Sequence, residues 1–316
     1  MAKLTNVSLL ETSPYIGNNQ QKPSPICSTF TVNGVLLQYW TLTHQKFARG
    51  NLIGLLTNNL WNGIHCIDET KRLFLPHLRQ GQNNAAIQQQ EIHLSTPETT
   101  TFTVNVYRGT NTTPVTSFNI SNTTPAVYSL GNGNNNITLV DDANTGVILT
   151  NSGLRFEAPG GNNFYVNYRG RSSSQAASLT SKGRVALGTS FKWGGVPNLG
   201  SHPSKSNTLG IMATEDNTTI DLFGYDPACE FRVGTDRAGI TADTYQIVLD
   251  ANESFVFETY IGNAPTAAHE SGWIGASIVS DKDIVISNGS LNYGRQAGSG
   301  NRDAGIDQPV PENRLG

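Results

Sequence analysis

Apolar and polar residues alternate over short stretches along most of this chain, the two-residue period of half-buried strands. Phe164-Tyr165-Val166-Asn167-Tyr168 is aromatic and β-branched and lies between Gly161 and Gly170, so it reads as a strand. Downstream, apolar runs come in pairs around short polar turns. Residues 208–213 and 219–223 flank Glu215-Asp216-Asn217, residues 245–249 and 254–258 flank Asp250-Ala251-Asn252-Glu253, and residues 273–279 and 284–286 flank Ser280-Asp281-Lys282-Asp283. Acidic and amide side chains in such turns bond their own backbone, and each pair therefore reads as hairpin-like. Near the start, Asn33-Gly34 divides two alternating runs, and this dipeptide accepts the positive φ of a type I′ turn, which predicts a hairpin over 28–43.

One stretch breaks the alternation. Ser172 to Ser174 offer N-cap hydroxyls, Gln175-Ala176-Ala177-Ser178-Leu179 follows, Lys182 falls in what would be a last turn, and Gly183 suits the left-handed stop. One or two helical turns are expected there. Arg169, Arg171, Lys182 and Arg184 give the same stretch a basic cast, read as charges facing water.

This stretch joins two copies of a longer pattern. Residues 96–104 align without gaps on 214–222, 127–133 on 246–252, 164–168 on 284–288, and 186–188 on 314–316. The offset drifts from about 118 to about 128, as a tandem duplication with small loop insertions would. A unit near 120 residues is too long for a solenoid turn or a propeller blade and has the size of a whole β-sandwich. The expected architecture is all-β: a leader over 1–71, a first sandwich over 72–187 and a second over 188–316. Because Gly188 leads into the strand-like Thr189-Ser190-Phe191-Lys192-Trp193, its counterpart Gly316 predicts that this chain is part of a longer protein.

Composition agrees with many short strands. Of 316 residues, 14 % are charged and 8 % aromatic, a poor supply of the side chains that long helices favour. A formal net charge of -3 gives no general affinity for nucleic acid. No run of about 20 apolar residues is available to span a bilayer. Cys27, Cys66 and Cys229 form neither a disulfide framework nor a zinc pattern; either one bridge (Cys27 to Cys66) or three separate buried thiols is compatible with them. The sequons at Asn111, Asn122 and Asn217 arise by chance in a chain this rich in Asn and Thr, and matter only if the source glycosylates Asn.

Several segments carry a family resemblance: YVNYRGRSSSQAASLTSKGRVALG, SNTLGIMATEDNTTIDL, GWIGASIVSDKDIVISNGS and RDAGIDQPVPENRLG. In order, over residues 72–316, they resemble the N-terminal domain of IgGFc-binding-protein-type proteins, in the form found at the front of large secreted bacterial surface proteins that continue into PKD-like or Ig-like repeats and a secretion-sorting domain. Residues 1–71 fall outside the resemblance and show no convincing signal peptide. The resemblance implies export, an adhesive or structural role at a cell surface, and no catalytic residues. Fc binding belongs to the family's name and is not carried over.

The search for chemistry finds no convergent set. His44, His65, His77, His93, His202 and His269 have no zinc-ligand spacing. Gly188-Thr189-Ser190-Phe191-Lys192 fails as a nucleophile elbow at its fifth position. Gly298-Ser299-Gly300-Asn301-Arg302-Asp303 lacks the third glycine and the βαβ context of a phosphate loop. Calcium is the one cofactor left open, with Asp141, Asp142 and Asp216 in oxygen-rich turns as candidate ligands. Two function classes stand. The first is a non-enzymatic surface module with a protein partner. The second is a carbohydrate-binding or glycoside-hydrolase-like sandwich, with Trp193, Trp273, Tyr165 and Tyr168 as stacking platforms and Asp303 and Asp307 as acid and base. For Asp303, Asp307 and Glu312, a solvated ion-pair cluster with Arg302 and Arg314 is the plainer expectation.

Overall fold

The computed structural model describes residues 26–32, 35–41, 71–75, 78–79, 87–172, 176–294 and 302–312. It divides into two compact units, Met1–Glu69 and Thr70–Gly316. In the first, β1 (Ile26–Val32) and β2 (Val35–Thr41) pair antiparallel, with Val32 opposite Val35 across the Asn33-Gly34 dipeptide. Cys66 and the leader's remaining residues lie outside the described residues, as do His44, His65 and His77.

The second unit begins with ten strands: β3 (Lys71–Leu75), β4 (Leu78–Arg79), β5 (Gln89–Ser95), β6 (Phe102–Arg108), β7 (Thr116–Ile120), β8 (Ala126–Gly131), β9 (Leu139–Val140), β10 (Leu154–Ala158), β11 (Tyr165–Arg171) and β12 (Ala176–Thr180). They form two four-stranded antiparallel sheets, β3-β10-β6-β7 and β12-β11-β5-β8, and β4 makes a short parallel contact with β9. Alternate residues of these strands, among them Ile92, Leu94, Val104, Val106, Phe156, Val166 and Leu179, are buried in one apolar core. This is the two-layer solution to a set of strands each with one apolar face.

A 3-10 turn over Gly183–Ala186 leads to the remaining elements. These are β13 (Gly188–Lys192), β14 (Ser206–Ala213), β15 (Thr218–Phe223), β16 (Phe231–Val233), β17 (Asp236–Ile240), β18 (Thr244–Leu249), β19 (Ser254–Tyr260), helix α1 (Ala267–Ser271), β20 (Ser277–Tyr293) and β21 (Asp303–Asp307). The long β20 belongs to two layers. Its first part lies between β13 and β15, with β18 beyond β15; its second part pairs with β14 and β21, with β19 beyond β14. The strand order therefore recurs. With β20 counted as two parts, β13-β20-β15-β18 repeats β3-β10-β6-β7, and β21-β20-β14-β19 repeats β12-β11-β5-β8.

The strand order fits the internal alignment in part. Residues 96–104 and 214–222 lead into the equivalent β6 and β15, and 164–168 and 284–288 fall on the equivalent β11 and second part of β20. Residues 127–133 lie on β8, whose counterpart is β19, whereas 246–252 lie on β18; that alignment is one strand out of step. Residues 314–316 are outside the described residues.

Two local expectations are corrected. Residues 176–179 are strand, not helix: Ala177 and Leu179 enter the core while Ala176, Ser178 and Thr180 face out, and the segment pairs with β11 from Asn167↔Thr180 to Arg171↔Ala176. Tertiary pairing outweighs the helical preference of an Ala-rich run. Helical character is confined to the 3-10 turn at Gly183, which does adopt a positive φ of 61°. The three polar turns of the second half are not hairpin turns either. β14 and β15 do not pair with each other but lie on either side of β20, β18 and β19 are at opposite ends of the strand order, and residues 280–283 lie inside the single strand β20. Each turn passes the chain from one layer to the other, which leaves the same alternating pattern as a hairpin would.

The second layer of this half is covered on both faces. Every residue of β14 is buried. Its inner face joins a core containing Phe191, Leu209, Ile211, Phe231, Phe255 and Phe257 around the stacked Trp193–Trp273 pair, whose ring centroids are 4.5 Å apart. On the other face, Met212 and Val285 pack with Ala186, and Val256 packs with Val140 and Leu149. Main-chain bonds fix this contact, with Leu149 N–H to Ser254 O at 2.8 Å, Ser254 N–H to Leu149 O at 3.0 Å and Gly146 N–H to Val256 O at 2.9 Å. Arg232 and Glu258, both fully buried, form an ion pair there, and Asp142 Oδ2 lies 3.3 Å from Arg232 Nη1.

Candidate functional site

Loops at one end of the second half form a tied-down platform. Residues 193–205, WGGVPNLGSHPSK, hold three prolines and glycines in the first five and cannot extend β13. Instead the loop folds over α1 and the end of β20. Asn198 N–H donates to Glu270 O at 3.0 Å, Gly200 N–H to Glu270 Oε1 at 2.6 Å, Leu199 N–H to Gly294 O at 2.8 Å, and His202 N–H to Gly262 O at 2.7 Å. The buried Asn198 side chain donates to Ser290 Oγ at 3.1 Å and accepts from Gly294 N–H at 2.9 Å. Helix α1 is capped by Thr266 Oγ1, which accepts from His269 N–H. Trp193 N–H donates to Ala276 O and Gly275 N–H to Trp193 O, both at 2.9 Å, so the stretch between α1 and β20, 274–276, lies beside the start of the loop.

This satisfied scaffold presents apolar side chains to solvent. Val196 is 50 % exposed, Ile274 is 38 % exposed, and Pro197, which separates Val196 from the buried Asn198 in the chain, is exposed. A β-branched side chain held in water on a rigid loop costs solvation and contributes nothing to the core, the pattern of a contact surface. Beneath it lie ionisable groups. Lys205 is almost wholly buried, and its ammonium donates to Leu199 O. Burial, then the charge of Arg302, holds its pKa below the ordinary lysine value, while Glu270 acts in the opposite sense. His202 is likewise lowered by burial and by the charges of Arg302 and Lys205.

The residues singled out in the sequence are distributed differently. Trp193 and Trp273 are buried against each other, and Trp193 Nε1 donates to Thr208 O at 3.2 Å; neither indole has a face free for a sugar ring. Tyr165 and Tyr168, three apart on β11, point to opposite faces. Tyr165 is 58 % exposed on the same outward face as Arg169 and Arg171, whereas Tyr168 is in the core with its hydroxyl donating to Gln90 Oε1 at 3.1 Å. Asp303 and Asp307 share the exposed face of β21 four residues apart, roughly 13 Å along a strand, beyond the separation that glycoside hydrolysis uses. Asp303 Oδ1 accepts from Ala176 N–H at 2.8 Å, and Asp307 Oδ2 accepts from Lys182 Nζ at 2.9 Å. Arg302 donates to Asn292 Oδ1 at 3.2 Å and Glu312 accepts from Ser190 Oγ, so the expected ion-pair cluster with Arg302 is not how these groups are engaged.

The calcium candidates do not converge. Asp141 caps the 3-10 turn at 142–144, accepting from Asn144 and Asn136 donors; Asp142 faces Arg232; Asp216 accepts from Ala251 N–H at 3.0 Å. N–H donors and a guanidinium around these oxygens do not fit a cation. Among the described residues no three His, Cys, Asp or Glu side chains come together as metal ligands. Residues 188–192 are plain strand rather than a strand-to-helix elbow. Cys229 is a buried free thiol.

The position of this platform in the chain matters for what it can be compared with. Residues 176–316 match the family model of IgGFc binding protein. The matched segment runs from β12 to the chain's last residue and contains the whole loop platform; residues 72–175, over which the resemblance was also read, are not included. The family is a binding one rather than a known enzyme family. No curated protein and no solved structure matches the chain significantly. Among the described residues, no helix is long and apolar enough to cross a membrane.

Lys205 and Glu270 escaped the sequence reading, and His202 entered it only as one of six histidines without zinc-ligand spacing. Nothing in SHPSKS distinguishes a buried lysine from a solvated one; the only available signal was the Pro/Gly-rich loop itself within a sandwich.

Proposed function

We propose that the chain is a non-enzymatic, extracellular or cell-surface module that binds a protein partner through the loop platform carrying Val196, Pro197 and Ile274. The observation that carries the reading is the coincidence of that rigid, partly apolar loop end with the segment matching a binding family. In the same reading, 72–187 and 188–316 are two copies of one sandwich unit, the first serving as a base that covers the second. The recurrent strand order supports this. The family model's name refers to IgG Fc, and that ligand is not carried over to this chain.

A carbohydrate partner has less support, because both tryptophans and Tyr168 are buried and only Tyr165 of the predicted platform is exposed. The test is to probe one array of secreted and surface proteins and one array of glycans with the folded chain. Saturable binding to a protein with a silent glycan array is expected. Saturable binding to neutral glycans alone would overturn the reading.

A further inference from the structure

The two layers of the second half end in β18 and β19, and the two ends are treated differently. The open side of β19 is completed by main chain from the first half: Leu149 bridges Ser254, and Gly146 N–H donates to Val256 O at 2.9 Å. Among the described strands, β18 pairs with β15 alone. Thr219 N–H on β15 turns away from β18 to Asp281 Oδ1, at 2.8 Å. Thr219 and its partner Val248 are therefore a pair without mutual main-chain bonds, and the alternation of an antiparallel ladder gives Gln246 and Thr244 the same setting. These three residues aim their N–H and C=O groups outwards. Their side chains are exposed as well, Val248 by 47 %. The Gln246 amide is drawn back over its own sheet to Asp221 Oδ1, at 2.8 Å, and leaves the edge uncovered.

Exposed edges are ordinarily blunted by lysine, proline, a bulge or a covering loop. Thr244-Tyr245-Gln246-Ile247-Val248-Leu249 contains no charge and no proline, and its register with β15 is unbroken. The inner side is unfinished too: Tyr245 is half-buried, with its ring against Phe255 and Phe257 at the rim of the core. Charge is confined to the ends of the strand, where Asp243 and Asp250 are both exposed. Asn217 N–H holds Asp250 Oδ1 at 2.9 Å, and Asp216 lies in the same turn, accepting from Ala251 N–H, while Lys282 donates to the main-chain oxygens of Asp216 and Asn217.

We infer that the free edge of β18 takes up an extended segment of a protein partner, uncharged in its middle and basic at both ends, as an added strand. Main-chain bonds to Thr244, Gln246 and Val248 supply affinity and tolerate many sequences. Apolar residues facing Tyr245 and Ile247, and a lysine or arginine opposite each aspartate, set the preference. A second copy of this chain is a poor occupant. Pairing Thr244 with Leu249 across two antiparallel β18 strands sets Asp243 of each copy against Asp250 of the other, like charges at both ends. This surface is separate from Val196, Pro197 and Ile274, and it stands whether or not those residues touch a partner.

The experiment uses the full chain and three capped peptides. The first, Lys-Val-Thr-Val-Thr-Val-Thr-Lys, sets a lysine opposite each aspartate and its valines on the core side. The second has glutamate at both ends. The third is the first with its threonines N-methylated, which removes the N–H groups that face β18. Hydrogen exchange of the Thr244, Gln246 and Val248 amides is read by NMR, and affinity by their shifts. At millimolar lysine-ended peptide all three amides are expected to exchange at least about tenfold more slowly. The glutamate-ended peptide is expected to bind at least about tenfold more weakly, and the N-methylated one to protect nothing. No protection by the lysine-ended peptide, or equal protection by its N-methylated form, would overturn the added strand. Equal binding of the two charged peptides would overturn the basic-ended partner, and protection that grows with the chain's own concentration would make the occupant a second copy. Gln246→Pro removes one outward N–H at an edge position that tolerates proline, and is expected to abolish binding at an unchanged melting temperature. If that variant unfolds, the N-methylated peptide carries the comparison on the wild-type chain.

Discussion

Replacing Arg232 by methionine tests how the second half is held on its base. The Arg232 side chain is 1 % exposed and that of Glu258 0 %, so the ion pair between them has no solvent to fall back on. Asp142, at 25 % side-chain exposure, approaches the same guanidinium from the other half at 3.3 Å. Removing one member of a buried pair costs about 3–5 kcal/mol, since the partner charge stays in a low-dielectric site. In a body of this size each kcal/mol moves Tm by about 2–4 °C, so Arg232→Met should lower it by roughly 6–20 °C. Adding Glu258→Gln should restore at least half of the loss, because the stranded carboxylate is then gone. Urea unfolding followed by tryptophan fluorescence reads both, as Trp193 and Trp273 are buried in the adjoining core. A loss below about 1 kcal/mol, or a double variant as unstable as the single one, would refute the reasoning.

Two further stability predictions follow from the same contact and from the core. Gly146 has φ 73°, and a Cβ there would lie 2.1 Å from Arg232 O, so Gly146→Ala should cost at least about 2 kcal/mol by urea titration, and a neutral result would mean the halves are not in close contact at this point. Tyr168, Tyr225 and Cys229 are buried, and burial raises all three pKa values, Tyr225 and Cys229 each to about 12. The folded chain then keeps protons that the unfolded chain releases from about pH 9 to 10 upward, so stability is intact below that range and falls as pH rises towards 12, by up to about 1.4 kcal/mol per unit for each group. A flat urea midpoint between pH 9 and 11 would contradict this burial.

What the sequence disclosed depended on periodicity. Alternation survives any arrangement of strands, so the strand over 164–168 and the sheet class as a whole were readable, whereas the face on which Tyr168 lies was not. Connectivity was not. The turn at 215–217 looks the same whether it returns to its own sheet or crosses to another, and only the partners of β14 and β15 decide. The run at 175–179 favoured helix by composition, yet an open edge beside β11 offered main-chain partners that a two-turn helix lacks. At the loop platform the limitation was one of scale. Lys205, Asn292 and Arg302 are separated by about ninety residues or adjacent to a strand end, and their meeting is a product of the fold, invisible to spacing. Trp193 and Trp273 erred the other way: their size made them natural sugar platforms, and the same size made them the centre of the core.

The claim on which the functional account stands is that Val196 and Ile274 form the contact surface. It is tested by the affinity of the array-identified protein partner for the wild-type chain and for a Val196→Asp/Ile274→Asp variant of unchanged melting temperature. Two exposed anchors at about 1 kcal/mol or more each predict at least a thirtyfold weakening. An affinity equal to wild type would place the contact surface elsewhere on the chain.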